Sequence, residues 1–435
     1  MKTQLHLTLI ATAALVVAGP AWAQTAREAE LLKRMDQLSA ELDKLKAEVQ
    51  QLKSQPVPAP VAAAPAAPVA PVAAAEPAPS REPATVLTSY GEINFNHYTK
   101  DSSRDSADVR RFVLGLQHRF DDQTKLVTEL EIEHAVSSAE DSGEVEVEQA
   151  FIERQLNNDW AARAGLFLMP VGLLNENHEP TAYYGVERNF VETRIIPSTW
   201  REGGVQAVGT LGNGLTLQAG MSTGFNLNNW DFSADSEGRE SPLASVHQEM
   251  QQAKSRDPAF FGALNWRGVP GLLLGGSLFT GNASHGSTTR PQVRVTLWDL
   301  HARYTPGAWD LSALVSQGYF SNTAAFNQVP EAIGHESDTL LPSRFGGWYV
   351  QGAYKAWRSG DYQLAPFVRY ERFNTASAFA DIGQGLTPAA QKAESVWTAG
   401  LNFNISEGVV IKADYQTFHE ASDDKRINLG LGWSF

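Results

Sequence analysis

The residues able to do chemistry fall into two sets: a few fragments that match enzyme or metal signatures, and a larger group of ionisable side chains spaced two apart. Gly220-Met221-Ser222-Thr223-Gly224 spells G-x-S-x-G. A nucleophile elbow needs a strand–turn–helix setting with oxyanion donors, whereas this motif ends an alternating segment ahead of a long loop. His178-Glu179-Pro180 has no second histidine three to five residues away and reads as a turn, not a metal ligand. The acidic stretches Asp101–Asp108 and Glu140–Glu148 lack the spacing of a calcium loop and read as solvated charge. The chain has no cysteine, which removes thiol catalysis, Fe–S clusters, Cys-ligated zinc and disulfide scaffolds together. No catalytic residue, metal or cofactor is expected.

The second set is different in kind. Arg111, Arg119, Lys125, Arg163, Lys355, Arg369 and Lys412 share one parity within their segments, and Glu129, Glu131 and Glu133 share it with Lys125. Such side chains make a wetted wall carrying both signs, and the chemistry of that wall is electrostatic sorting of ions.

Alternation of this kind needs strands to carry it. From Thr85 to Phe435 the pattern has period two. In the last segment Ile427, Leu429, Leu431, Trp433 and Phe435 alternate with Asn428, Gly430, Gly432 and Ser434. Near the start, Phe112, Leu114, Leu116 and Phe120 oppose Arg111, Gly115, Gln117 and Arg119. One large apolar face and one small or charged face, over strands of about ten residues, predict an all-β, transmembrane antiparallel β-barrel. Counting segments gives about sixteen strands. Short turns are expected at Asp121-Asp122, Asn157–Asp159, Gly212–Gly214, Ser359–Asp361 and Ser406–Gly408. Long loops are expected at Phe225–Pro258, Ser321–Phe345 and Asn374–Ala393. The C-terminal Phe435 resembles the signal that barrel-assembly machinery reads.

Composition agrees. Lys and Arg number 35 against 49 Asp and Glu, a net charge of -14, which argues against a nucleic-acid partner because that needs a basic footprint. Residues 1–23 have a basic start, a short apolar run and Ala21-Trp22-Ala23, a cleavable secretory signal peptide. Residues 24–54 carry heptads: Leu31, Leu38, Leu45 and Leu52 lie seven apart, with Met35, Leu42 and Val49 on the alternate seam. They predict a short α-helical coiled coil packing against copies of itself. Residues 55–83 are a Pro/Ala-rich spacer, and 84–435 form the barrel. The N-terminal part is expected in the periplasm, the barrel in the outer membrane of a Gram-negative cell, against lipopolysaccharide and lipid.

The stretches Met169-Pro170-Val171-Gly172, Asn175–Pro180, Tyr184–Asn189 and Ile195–Trp200 resemble the phosphate-selective porin O and P family. The resemblance implies a sixteen-stranded homotrimer whose third long loop, here Leu168–Arg201, folds inward as a constriction. It also implies an anion route lined by basic residues, to which the loop adds Arg188, Arg194 and Arg201. The loop has no lysine and carries Glu176, Glu179, Glu187 and Glu192, a departure that favours a weakly anion-preferring pore over a phosphate-specific one. Two functions follow: a passive channel for small hydrophilic solutes, or a tether reaching the peptidoglycan through the coil and spacer.

Overall fold

In a computed structural model, residues 84–435 are described except 139–140, 234–240, 333–338 and 384; before them only Lys33 and Lys44 are, each helical and exposed. The signal peptide, the coil seam and the spacer therefore lie outside the described residues.

Period two does produce strands: β1 (Thr85–Tyr98), β2 (Ser106–Arg119), β3 (Thr124–Glu133), β4 (Val145–Gln155), β5 (Trp160–Leu168), β6 (Arg201–Leu211), β7 (Leu215–Ser222), β8 (Ala259–Trp266) and β9 (Leu272–Asn282). They continue as β10 (Arg294–Tyr304), β11 (Trp309–Phe320), β12 (Arg344–Tyr354), β13 (Trp357–Ser359), β14 (Tyr362–Ala378), β15 (Glu394–Ser406), β16 (Val409–Phe418) and β17 (Arg426–Ser434). Neighbours in sequence pair antiparallel, β12 pairs with β14, and β17 returns to β1, so the sheet closes. The three-residue β13 is an extension of the turn before β14, which leaves sixteen wall strands. Closure leaves no free strand edge to template other chains. The seam runs to the last residue, where Phe435 N and O bond Ser89 O and N at 2.9 and 3.0 Å.

The outer face is apolar at the alternate positions: Ile93, Leu114, Leu130, Val147, Leu300, Val350, Leu401 and Leu429 are exposed. A contiguous exposed apolar band is what lipid stabilises. On β11, Trp309 and Tyr319 bracket it ten residues apart; at ~3.3 Å per residue and the usual barrel tilt this is about 25 Å of height. Short connections all fall at one end, as at 212–214, where Asn213 and Gly214 take φ of 70° and 78°, the left-handed pair a two-strand turn requires. Long connections, at 169–200, 223–258, 321–343 and 379–393, fall at the other. The last is shorter than Asn374–Ala393 because β14 continues to Ala378.

The lumen departs from expectation. Its β9–β12 side is apolar: Phe279, Val295, Leu297, Leu314 and Phe345 point inward and are buried. They pack with Met169, Ile195, Ile196 and Trp200, with Phe225, Trp230 and Leu243, and with Phe326 and Leu341, all from the long connections. Trp200 stacks on Phe225 and both meet Phe279 edge-on, with ring centroids 4.8–5.3 Å apart. Loops thus fill the β9–β12 side with a hydrophobic core, and the polar space left open lies against β1, β2 and the start of β17.

Candidate functional site

The 169–200 connection turns into the barrel as soon as it leaves β5. Asn175 closes its neck: the side-chain amide donates to the carbonyls of Met169 (2.8 Å) and Trp200 (2.7 Å), and its Oδ1 accepts from Trp200 N at 2.7 Å. Buried Glu192, in a π-helical turn (Val191–Ile195), organises the interior. Its Oε1 accepts the amides of Leu173 (2.6 Å) and Leu174 (2.8 Å); its Oε2 accepts from Asn189 (2.8 Å) and the Tyr349 hydroxyl (3.0 Å). Four donors on one carboxylate satisfy a buried charge that would otherwise be costly.

Wall residues then staple the loop all round. Asp414 accepts from Val186 N (2.6 Å), Glu371 from Phe190 N (2.5 Å) and Asp299 from Gly172 N (3.2 Å). Asn402 accepts from Gly185 N (3.2 Å) and donates to Tyr183 O (3.1 Å). Thr181 meets Ser434 at 2.7 Å, so the loop reaches almost to the end of the last strand. His178 is buried with Nε2 2.6 Å from the Tyr90 hydroxyl and 2.7 Å from Glu148. Gly185 allows the close approach: its φ is +89°, and a Cβ there would lie 3.2 Å from Phe367.

Between the loop and the β1–β2 wall a polar cavity of about 620 Å³ remains. Arg110, Arg111, Arg188, Arg194 and Arg426 line it, against Glu92, Asp108 and Glu187. The arginines differ in what holds them. Arg111 is neutralised by Glu92 (3.0 Å), Glu131 (3.1 Å) and Glu133 (3.6 Å). Arg188 donates to neutral groups: Ser198 (2.7 Å), Thr199 (2.8 Å) and His178 O (3.3 Å). Arg426 donates to Gln416 (2.8 Å) and Tyr98 (3.1 Å). Arg110 has no side-chain hydrogen bond or ion pair among the described residues. Guanidinium groups oriented by neutral partners keep their charge for a visiting anion.

Two β-bulges place charge here. The β1–β2 register passes from Glu92↔Arg111 to Ile93↔Val109, so Arg110 is the extra residue. The β3–β4 register likewise skips Glu148 between Gln149 and Val147. A bulge re-aims a side chain: Arg110 and Arg111 both face the lumen, as do Glu148 and Gln149. Strict parity would send Arg110 to lipid, which is why sequence reading passes over it. Arg426 lies on the polar parity of Asn428 and Gly430, and extending that alternation one step back would have found it.

The expected lumen residues are distributed unevenly. Arg111, Arg188 and Arg194 line the cavity. Lys125 and Arg163 pair with Glu153 at 2.9 and 2.6 Å, near the short-turn end. Glu129 accepts from Gln149 at 2.5 Å. Arg201 is buried between Glu146 and Glu249. Arg369 and Lys412 face inward but lie under the loop, each 2% exposed. Arg369 bonds Glu371 (3.0 Å), Tyr184 O (3.2 Å) and Glu187 O (3.4 Å), while Lys412 Nζ sits 3.5 Å over the Tyr183 ring. Arg119 is exposed at the end of β2. Lys355 lies one residue past the end of β12 at Tyr354, exposed in the short connection.

No protein-family model matches the chain. An uncharacterized protein of Aquifex aeolicus is 26% identical over 356 residues, 80% of this chain and 79% of the relative. Among solved structures, OmpF of Salmonella typhi in complex with daunomycin aligns with a TM-score of 0.55 at 12% identity, over 81% of this chain and 97% of that one. The outer membrane channel DcaP of Acinetobacter baumannii aligns at 0.52 and 14% identity, over the same shares. The loop L8 deletion mutant of Vibrio cholerae OmpT, an outer membrane protein, aligns at 0.50 and 11%, over 81% of this chain and all of that one. At these identities the likeness is one of fold. The chain has the barrel fold of outer-membrane porins.

Proposed function

We propose that this protein is a passive outer-membrane diffusion channel for small hydrophilic solutes with a preference for anions, its constriction set by the 169–200 loop. Short turns face the periplasm and long loops the outside. The observation that carries the preference is the cavity lining, where Arg110, Arg188 and Arg426 have no carboxylate partner in hydrogen-bond contact. Such a ring acts by field strength and needs no catalytic group or cofactor. The phosphate-selective porin O and P family remains the nearest reading of the loop motifs, with a trimeric assembly. The lining carries no lysine, which favours general anion preference over a dedicated phosphate site.

The test is single-channel recording in a planar bilayer under a tenfold KCl gradient. An anion-signed reversal potential is expected, moving toward zero in Arg110→Gln/Arg188→Gln/Arg426→Gln. A cation-signed potential, or one that the triple variant leaves unmoved, overturns the reading.

A further inference from the structure

At the long-loop end of the outer wall, cations and carboxylates are mostly matched. Lys100 meets Asp423 at 3.0 Å, Arg104 meets Asp424 at 2.8 Å and Lys392 meets Glu420 at 3.0 Å. Lys100 holds the Asp423 carboxyl below its ordinary range. Among the cations at that end without a carboxylate, three lie together. Arg344, at the start of β12, and Lys425, just before β17, have no side-chain hydrogen bond or ion pair among the described residues. Arg372, on β14, has a single 3.4 Å bond to the Ser395 hydroxyl.

All three line two adjoining depressions of about 380 and 360 Å³, with Arg372 common to both. The nearby acids do not oppose them. Glu394 is turned onto the backbone amides of Ser395, His419, Glu420 and Ala421 at 2.8–3.0 Å. Glu420 is taken by Lys392, with His419 at 3.7 Å from its other oxygen.

Next to the cations an aromatic row crosses three strands on the outer face. Trp348 and Tyr370 have ring centroids 5.5 Å apart, and Tyr370 and Trp397 4.7 Å. Trp348 is directly opposite Arg372 in the β12–β14 register. Further along β12, β14 and β15, and on β16, exposed aliphatic residues follow: Val350, Val368, Leu401 and Ile411. The order along the wall is thus cation, aromatic ring, aliphatic surface, the order in which a phosphorylated lipid presents phosphate, headgroup and acyl chain.

We infer that this strip of β12, β14, β15 and β16 is a binding site for a phosphorylated lipid of the leaflet at the long-loop end. Arg344, Arg372 and Lys425 take the phosphates, Trp348, Tyr370 and Trp397 the headgroup region, and the aliphatic band the chains. Two guanidinium forks suit phosphate oxygens bidentately. In a chain this acidic, three cations left without carboxylates on a lipid-facing wall are charge-complementary to such a lipid and to little else on that side.

The test uses the full chain in detergent, analysed by native mass spectrometry with bis-phosphorylated lipid A, with the same lipid stripped of its phosphates, and with inorganic phosphate as competitor. Retention of the phosphorylated lipid is expected, with a loss of about tenfold or more in Arg344→Gln/Arg372→Gln/Lys425→Gln. A similar loss is expected for the stripped lipid, with no displacement by millimolar phosphate. Heat-modified electrophoretic mobility confirms that the variant is folded, and its conductance should match the parent because none of the three lines the pore. Equal retention by parent and variant, or of both lipids, overturns the proposal. Full displacement by inorganic phosphate also overturns it, since the groove would then be a free-anion site.

Discussion

Arg369 and Lys412 show how much a residue's role depends on what covers it. Alternation alone assigns both to the lumen, and both do face it, yet the loop lies over them and neither meets open water. Arg369 carries an ion pair and two loop carbonyls, so Arg369→Met leaves Glu371 buried without its cation at a cost of about 3–5 kcal/mol. Lys412 Nζ has no hydrogen-bond acceptor and only an aromatic face. Lys412→Met keeps its volume and should cost less than about 1.5 kcal/mol. Urea-unfolding midpoints in lipid vesicles check the order; a larger drop for Lys412→Met contradicts it. Parity also explains what was legible: Glu129, Glu131 and Glu133 face inward as their spacing says, because β3 is regular where they sit. Arg110 was not legible, because a single inserted residue reverses parity and nothing in the local sequence announces the bulge.

At the scale of elements, strands could be read and loop trajectories could not. The short-turn positions follow from Gly, Asn and Asp punctuation, but the depth of the 169–200 loop is set by wall partners such as Asp414, Glu371 and Ser434, hundreds of residues away. The 223–258 connection is strapped down in its turn: Glu249 meets Arg201 at 3.1 Å and His247 at 3.0 Å. Burial pushes the Glu249 carboxyl up, but His247 and Arg201 outweigh it and hold the group below its ordinary value. A depressed carboxylate contributes stability that is present above the unfolded value and lost as pH falls through the folded one. Cleavage of the 223–258 segment by an acid protease should therefore accelerate below about pH 4. In Glu249→Gln the dependence on pH should flatten; an unchanged profile shows that the strap does not hold the loop.

For the whole molecule, the coil is the part that sequence alone proposes. Three copies joined through Leu31, Leu38, Leu45 and Leu52 would bring three barrels together, and Leu38→Lys/Leu45→Lys places charge in that seam. Sedimentation of the full-length variant in detergent should shift toward smaller species; an unmoved boundary removes the coil from assembly. The filled side of the lumen was the least legible feature. A water-facing parity predicts polar side chains, and Val295, Leu297 and Phe345 make sense only once the loops that cover them are in place. That filling has a consequence for how the protein can change over generations. The side chains of the hydrophobic fill and those of the polar cavity are disjoint sets. Mutation at Arg110 or Arg426 can therefore alter what passes through the barrel without touching the packed side chains. Lineages meeting different nutrients would be expected to diverge in the cavity while keeping the packed side nearly constant.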